Sequence, residues 1–577
     1  MKRRTFLKRG SLFGIPLVGI GAASGHAAPA TGDAYARSAA EAAAGIEPLD
    51  YGRPHGDVMR YGATGDGKTD DSVAIQKAVN SSRRVYFPPG DYLVRTRIDL
   101  RTGSSLLGDG AATLFTDGIN SLLHAAGTIG ALQPVRRGVQ RSDSSFAVAA
   151  TTGPSYAIAR GFWLQSDDAP LGHVSHRSGE IGIVTSVDGD EVGTPVGLCD
   201  DYRLEAGARA APVVFLERIS IAGLAFRNTN YADSPTRATS PLVYLEFVAG
   251  CRMAECDLRE NNSAAISIFN CLHAVISGNT IGHLTDAGRG LLGYGVQVGF
   301  ASQNISISGN AFTRCRHAVT TGTGTVSSRT PNYGVSRTLA IVGNAVSQCT
   351  NAGLDTHEDS DGVTISGNSI VGCTPVGIQV RSYGSAITGN TITSCRGMAI
   401  RVARTARDTV ISGNLISGVK RRNADGDGIV VDGPAVTIAA NRVSECDRHG
   451  IAVGRNAVSD INISGNTCKN NGVAVDGDGI NIDRGGPLSR LVIIGNSCMN
   501  DQATATQRHH IAIERDTVLT LEESLVANNL LSRARSGGYS NRGKGSATII
   551  GNLGIPAGGQ ATTQFVAPGQ LDDPPVA

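Results

Sequence analysis

The densest run of ionisable side chains in the C-terminal two-thirds of this chain lies at 353–368, GLDTHEDSDGVTISGN, with Asp355, His357, Glu358, Asp359 and Asp361. In an extended segment alternate side chains share a face, so Asp355 and His357 project together while Leu354 and Thr356 point the other way. An unpaired imidazole titrates near neutral pH, which suits His357 to general-base work, and Asp355 could orient it. The same frame one repeat later presents Gln379 and Arg381, and the next presents Arg401.

What positions these residues is a repeat. Most copies read I-S-G-N-x-I-x-x-C, a small residue, then G-I-x-V, with the asparagine at 279, 310, 344, 368, 390, 414, 441, 466 and 496, and more loosely at Asn528 and Asn552. The shortest intervals are 22 to 24 residues, and the longer ones carry loops. Short apolar–polar alternations broken by Gly and Asn predict strands joined by turns. Stacked coils lie about 4.8 Å apart, so the array predicts a rod about 50 Å long.

The Ile and Val of each G-I-x-V point inward, which sets two outward columns. One reads Tyr244, Ser267, Gln297, Thr320, Asp355, Gln379, Arg401, Val430, Ala452 and Asn481; the next includes Glu246, Gly322, His357, Arg381 and Asp432. A flat face lined with acids, a His and arginines suits an extended acidic glycan. Its expected catalytic residues are His357, Asp355, Arg381 and Arg401; its expected binding residues are Glu246, Tyr244, Gln297, Gln379, Glu358 and Asp432. Abstraction of a uronic acid's C5 proton requires its carboxylate to be neutralised, by arginines or by Ca²⁺ held on carboxylates. Arg381 and Arg401 could do so. No residue set is assigned to a metal. Ca²⁺ is a possible cofactor, because Asp425-Gly426-Asp427 and Asp476-Gly477-Asp478 carry acids in turns, although turn formation is the commoner use of such strings.

The short coil with an inward Asn at a fixed corner resembles the right-handed parallel β-helix of pectin and pectate lyases. The implied fold class is all-β: a single-stranded right-handed parallel β-helix with an N-terminal capping helix and a β-rich insertion. The stretch 57–94, DVMRYGATGDGKTDDSVAIQKAVNSSRRVYFPPGDYLV, resembles that superfamily's N-terminal entry, where a helix plugs the open end. Here Val73, Ala74, Ile75, Ala78 and Val79 form the apolar stripe, Thr69 or Asp70 supplies the cap, and Asp66, Asp70 and Asp71 serve turns and capping. Asp355-Thr356-His357-Glu358 is similar to the Y-G-x-D-P-H-D/E signature of mannuronan C5-epimerases and β-helical alginate lyases. The signature's aspartate, histidine and acid fall on Asp355, His357 and Glu358, its proline on Thr356, and its tyrosine on Ala352. A Tyr-Gly pair in register, Tyr294-Gly295, lies two coils earlier. Asp447-Arg448-His449-Gly450 is similar to another epimerase segment. The resemblance implies a polysaccharide lyase or C5-epimerase. Hydrolysis by paired carboxylates, Asp355 with Asp432, Glu358 or Asp359, is a rival enzyme reading. A non-catalytic glycan-binding or exopolysaccharide-assembly role is the other alternative.

Composition narrows the partners. Lys plus Arg is 52 and Asp plus Glu 50, a balance that argues against nucleic acid held by bulk charge. The start MKRRTFLKRG, a short apolar run and Ala28-Pro29-Ala30 read as a signal peptide too short for stable membrane insertion. Its Arg3-Arg4-Thr5-Phe6-Leu7-Lys8 string resembles the twin-arginine export signal, implying a periplasmic or secreted protein. Of 11 cysteines, Cys315, Cys349, Cys373, Cys395 and Cys446 each follow a repeat Asn by five residues, which predicts a buried stack of free thiols. The expected organisation is a signal peptide at 1–30, linker at 31–52, cap and first coils at 53–109, insertion at 110–212, β-helix at 213–554 and flexible tail at 555–577. An acidic polysaccharide is the expected partner, and a monomer and a trimer both remain open.

Overall fold

The computed structural model describes residues 34–148, 156–170, 176–232, 239–287, 292–322, 333–454, 458–482, 487–514, 518–519, 523–541, 548–555 and 562–563. The expected signal peptide and nearly all of the expected tail lie outside these. Among the described residues the chain is a parallel β solenoid. Fourteen strands, from Ile98–Asp99 to Tyr539–Asn541, form one face in strict coil order. The other two walls merge into one continuous sheet because long strands, Ser105–Thr116 and Leu216–Asn228, turn the corner between them. No described helix is long and apolar enough to cross a membrane.

Each wall is held by a stack of like side chains. Ile341, Ile365, Ile387, Ile411, Ile438, Ile463 and Ile493 follow one another in register on one wall, and Ile378, Ile400, Ile429, Ile451, Ile480 and Ile511 on the fourteen-stranded face. All are buried, and each contributes roughly 1.5–3 kcal/mol by leaving water. The corner is polar and fully bonded. Asn344 Nδ2 donates to Asn368 Oδ1 at 2.9 Å, Asn368 to Asn390 at 2.9 Å and Asn390 to Asn414 at 2.9 Å, and each backbone N–H donates to the same oxygen. The preceding residue is left-handed, with φ of 63° at Gly367 and 62° at Gly389, which is why the repeat reads G-N. Near the C-terminus Asn528 occupies the left-handed position, at φ 53°, and Asn529 takes the ladder. The expectation of Asn528 was therefore one residue early; Asn tolerates that conformation and so imitates the Gly.

The cysteines of the described residues are all free, and ten of them are buried in the solenoid; Cys199, in the insertion, is half-buried. Helix Ser72–Ser81 covers the first coil with Ala74, Ile75, Ala78 and Val79, while Val73, expected in that stripe, is exposed. Asp70 Oδ1 accepts from the Ser72 N–H at 3.1 Å. Asp71 instead ties the preceding loop through the Thr64 and Gly65 N–H groups. Residues 34–52, expected as linker, are anchored. The short helix Ala39–Ala43 carries a Ser38/Glu41 capping box, and buried Glu41 accepts from buried Arg60 Nε at 2.6 Å.

The insertion begins later than expected. Strand Leu123–Ala126 pairs with Val243–Glu246 inside the fourteen-stranded face, so the departure lies beyond it. Gly161–Gln165 then pairs antiparallel with Gly179–Ile183 and Arg209–Val214, around a core containing Phe146, Phe162, Leu164 and Tyr202. The hairpin Ser186–Asp188/Glu191–Gly193 turns at Gly189, φ 57°. A second apolar cluster, Ile181, Val213, Phe215, Phe247, Leu272 and Ala301, fastens this module to the solenoid. Arg337 Nη2 donates to Asp200 Oδ2 at 2.8 Å across the junction.

Candidate functional site

The fourteen-stranded face places its outward residues in the order the repeat predicts. Tyr244, Ser267, Gln297, Thr320, Asp355, Gln379, Arg401, Val430, Ala452 and Asn481 are successive partners. A third outward column, at the residue before the G of each G-I, runs from Tyr294 and His317 through Ala352, Val376 and Met398 to Asp427. Ala352, Val376, Met398, Val430 and Ala452 form a separate apolar cluster. Although outward, they are buried, so they floor a recess.

At one end of that floor sits Asp355, fully buried. Its Oδ2 accepts from Arg381 Nη2 at 2.5 Å and Thr320 Oγ1 at 3.2 Å, and lies 3.0 Å from His357 Nε2 and 3.7 Å from His317 Nε2. Its Oδ1 is buried with no hydrogen-bond partner among the described residues. Arg381 Nη2 is also 2.7 Å from His357 Nε2, so guanidinium and imidazole converge on one oxygen. Thr356, fully buried, accepts through its carbonyl from Arg381 Nε at 3.2 Å and through Oγ1 from Arg381 N–H at 3.0 Å. His357 Nδ1 faces Glu358 Oε2 at 3.5 Å, and Glu358 Oε1 accepts from Thr405 at 3.2 Å. Gly322, one coil earlier, makes this packing possible: a Cβ there would lie 2.2 Å from His357 Cβ. The insertion reaches the same coil, with buried His176 Nε2 3.8 Å from buried Asp359 Oδ2.

Burial alone would raise the Asp355 pKa, but His317, His357 and Arg381 outweigh it and hold the carboxyl well below the usual range. Burial would lower the His357 pKa, but Asp355 and then Glu358 push it up to about 9. The expectation of an unpaired histidine is thus corrected: His357 has two carboxylate neighbours, and both favour its protonated form. Against its own burial, His357 and Arg381 help bring Glu358 down to about 2. His317 moves the opposite way, to about 4, because burial outweighs the attraction of Asp355. Its Nδ1 is 3.2 Å from the Ala352 carbonyl, which accepts the imidazole N–H and leaves Nε2, 3.7 Å from Asp355 Oδ2, as the unprotonated nitrogen. Tyr294 stacks on His317, ring centroids 5.2 Å apart, and burial pushes its hydroxyl to about 12.

The other expected residues divide. Gln379 is half-buried in register between Asp355 and Arg401. Arg401 turns away from Asp355 and donates through Nε and Nη2 to Asp432 Oδ2, both at 3.2 Å. Gln297 is committed within the face, donating to the Gly322 carbonyl at 3.2 Å. Tyr244 donates to Glu246 Oε2 at 3.1 Å and stacks on His124 at 5.3 Å. Four coils separate it from Asp355, about 19 Å at β spacing.

Beyond the apolar floor lies a second charged region that the repeat analysis did not assemble. Buried Asp427 takes a fork from Arg448, Nε at 2.7 Å, and buried Asp478 takes one from Arg508, Nε at 3.0 Å and Nη2 at 2.7 Å. These acids of the two D-G-D strings are therefore engaged by arginines. His509 and His510, adjacent in the chain on the coil after Asp478, are buried as well. The signal that joins both regions was present in the chain: Arg316-His317, Arg448-His449 and Arg508-His509 precede strands at the same point of the coil. Among the described residues no group of three or more His, Cys, Asp or Glu is arranged to hold a metal.

Comparison with known proteins follows the fold. Residues 57–125 match the family described as rhamnogalacturonase A/epimerase, pectate lyase-like. The tailspike gp61 of Pseudomonas phage phi297 is similar over 80% of this chain and 80% of its own, at 14% identity and a TM-score of 0.53, a likeness of fold. The tailspike gp49 of Pseudomonas phage LKA1 covers 82% of each chain at 15% identity, with a TM-score of 0.48. The pre-neck appendage protein of Bacillus phage B103 is 40% identical over 65 residues, which span 11% of this chain and 8% of that protein. Residues 241–416 and 357–553 match the family described as right handed beta helix region, more than half of the sequence, so the chain belongs to the right-handed β-helix family.

Proposed function

We propose that this protein is an exported polysaccharide-active β-helix whose recessed face acts on a uronic-acid-containing glycan by proton transfer at C5. One observation carries the reading: two histidines flank one buried carboxylate oxygen, His357 Nε2 at 3.0 Å and His317 Nε2 at 3.7 Å from Asp355 Oδ2, the first favoured in its protonated form by that carboxylate and the second held neutral by burial. Titratable pairs driven apart by their surroundings mark acid and base. Arg381 and the His357 imidazolium supply positive charge for the uronate carboxylate and for the enolate that develops when C5 loses its proton. The C5–H bond breaks and its proton passes to His317 Nε2, where Asp355 stabilises the new imidazolium. In β-elimination the C5 electron pair forms C4=C5, the C4–O4 bond breaks, and O4 leaves with a proton from His357. Returning a proton to the opposite face of C5 instead gives epimerisation.

Hydrolysis by the pair Asp355 and Glu358 is disfavoured, because the charges around both carboxyls favour the ionised form and leave neither a proton for the leaving group. Export through the twin-arginine-like start of the chain belongs to the same proposal. The test is a screen of acidic polysaccharides. Elimination yields unsaturated ends absorbing in the ultraviolet, and epimerisation puts solvent deuterium into intact polymer. New reducing ends with neither signal would overturn the reading.

A further inference from the structure

The far half of the recess holds two buried oxygens that no described group fills. Asn481 spends its amide hydrogens on Asp478 Oδ2 at 2.7 Å and Glu514 Oε1 at 3.2 Å, which fixes the amide and leaves Oδ1 buried without a donor. Asp432 gives Oδ2 to Arg401, and its Oδ1 is likewise buried and unfilled. Between them runs the coil of Ala452 and Gly454. Ala452 is the register partner of Asn481, and Gly454 N–H donates to the Val431 carbonyl beside Asp432. Ala512 follows Asn481 on the next coil. The neighbours of Asn481 on both coils are thus alanines, which bring nothing longer than a methyl beside it. Buried acceptors are ordinarily filled, so two unfilled ones lining a recess mark where donors arrive.

The surroundings select the donor. Asp427, Asp432, Asp478 and Glu514 ring this half, and the three nearby guanidiniums, Arg401, Arg448 and Arg508, are each already bonded to a carboxylate. An anion would meet four carboxylates and no uncommitted arginine of these three. A hydroxyl donates without bringing charge. We infer that this end is a subsite for a neutral, hydroxyl-bearing sugar, so that the face reads a heteropolysaccharide: uronate over Asp355 and a neutral residue over Asn481, five coils or about 24 Å away. The apolar floor between them suits the C–H faces of the intervening sugar rings. The inference rests on the proposed uronate chemistry for the Asp355 end only.

The full-length protein is titrated calorimetrically with three sets of oligosaccharides: neutral (dextran and galactomannan), uronate-only (oligogalacturonate and oligomannuronate) and mixed (gellan and xanthan). Mixed oligomers are expected to bind about tenfold more tightly than uronate-only ones, the scale of one hydrogen bond to a buried acceptor. Asn481→Leu, which removes the acceptor, and Ala512→Leu, which crowds it from the next coil, should each erase that preference and leave uronate-only affinity unchanged. Unfolding temperatures establish that each variant is folded, and either one suffices. Uronate-only oligomers binding as tightly as mixed ones would overturn the inference and leave the uronate site standing. Neutral oligomers bound alone, and lost in Asn481→Leu, would support the subsite while removing the uronate reading. Binding of none of the three sets would remove both.

Discussion

Asp355 and Asp478 are both fully buried aspartates on the outward side of one sheet, and each has an arginine and histidines around it, yet they are wired differently. Asp478 has both oxygens filled: Oδ1 by Arg508 Nε and the His509 N–H, Oδ2 by Arg508 Nη2 and Asn481. Asp355 concentrates Arg381, Thr320 and two imidazoles on Oδ2 and leaves Oδ1 empty. A carboxylate with every lone pair answered is architecture, since any further group must first break a bond. One with crowded charge on a single oxygen is poised to move a proton. The difference is the number of donors per oxygen, which residue type does not reveal.

The sharpest way to break this comparison is to neutralise each acid. Asp355→Asn and Asp478→Asn both take the charge from the partner of a half-buried arginine, so both should lose about 1.5–3 kcal/mol of stability in denaturant unfolding. Only Asp355→Asn should abolish turnover of an acidic glycan. Equal loss of activity in Asp478→Asn would erase the distinction. Next in size, His357→Gln and Arg381→Ala should each lower kcat by about 10²–10⁴-fold, the range of a lost proton-transfer or charge-stabilising group. His509→Gln, at the architectural carboxylate, should leave kcat within a factor of a few.

The two histidines of the Asp355 end give opposite pH signatures. His357 has its folded pKa raised from 6.5 to about 9, so its stabilisation is complete below pH 6.5 and is lost as pH rises through 9. Activity that uses it as an acid falls over the same upper range. His317 has its folded pKa lowered to about 4, so between pH 6.5 and 4 the unfolded chain takes up a proton that the folded chain does not. Stability therefore declines across that window, by roughly 3 kcal/mol at its lower end. His317→Gln should flatten the acid limb of the unfolding-temperature profile, and His357→Gln the alkaline limb. An acid limb unchanged in His317→Gln would mean that this imidazole is not the one buried neutral.

The register of the site was legible in the chain because period-two alternation leaves no freedom: once Leu354 faces inward, Asp355 and its partners Thr320 and Gln379 are fixed. The direction of a long side chain was not. Arg401 stands two coils from Asp355 and bonds forward to Asp432, and nothing in a repeat pattern selects forward over back. The burial of the site was not legible either, because it depends on Gly322 admitting His357 and on an insertion residue, His176, arriving from far away in sequence. In the asparagine ladder the slip of Asn528 for Asn529 arose where Asn replaces Gly at the left-handed corner and hides the motif.

The smallest effect tests the wiring itself. Arg448 reaches Asp427 through two nitrogens of a fork, Nε and Nη2, while Arg381 reaches Asp355 through Nη2 alone. An ammonium replaces a single contact but cannot reproduce a fork. Arg448→Lys should therefore lose one hydrogen bond between charges, about 1.5–3 kcal/mol, whereas Arg381→Lys keeps its contact to Asp355 and loses only the bond from Nε to the neutral Thr356 carbonyl, about 0.5–1.5 kcal/mol. The asymmetry matters more than either value. If both lysine variants lose stability equally, Arg381 is held to Asp355 as rigidly as Arg448 to Asp427, and the Asp355 end is architecture too. If Arg448→Lys loses clearly more, the guanidinium beside His357 is held to its carboxylate by one nitrogen and to the Thr356 carbonyl by another, a weaker grip than the Arg448 fork.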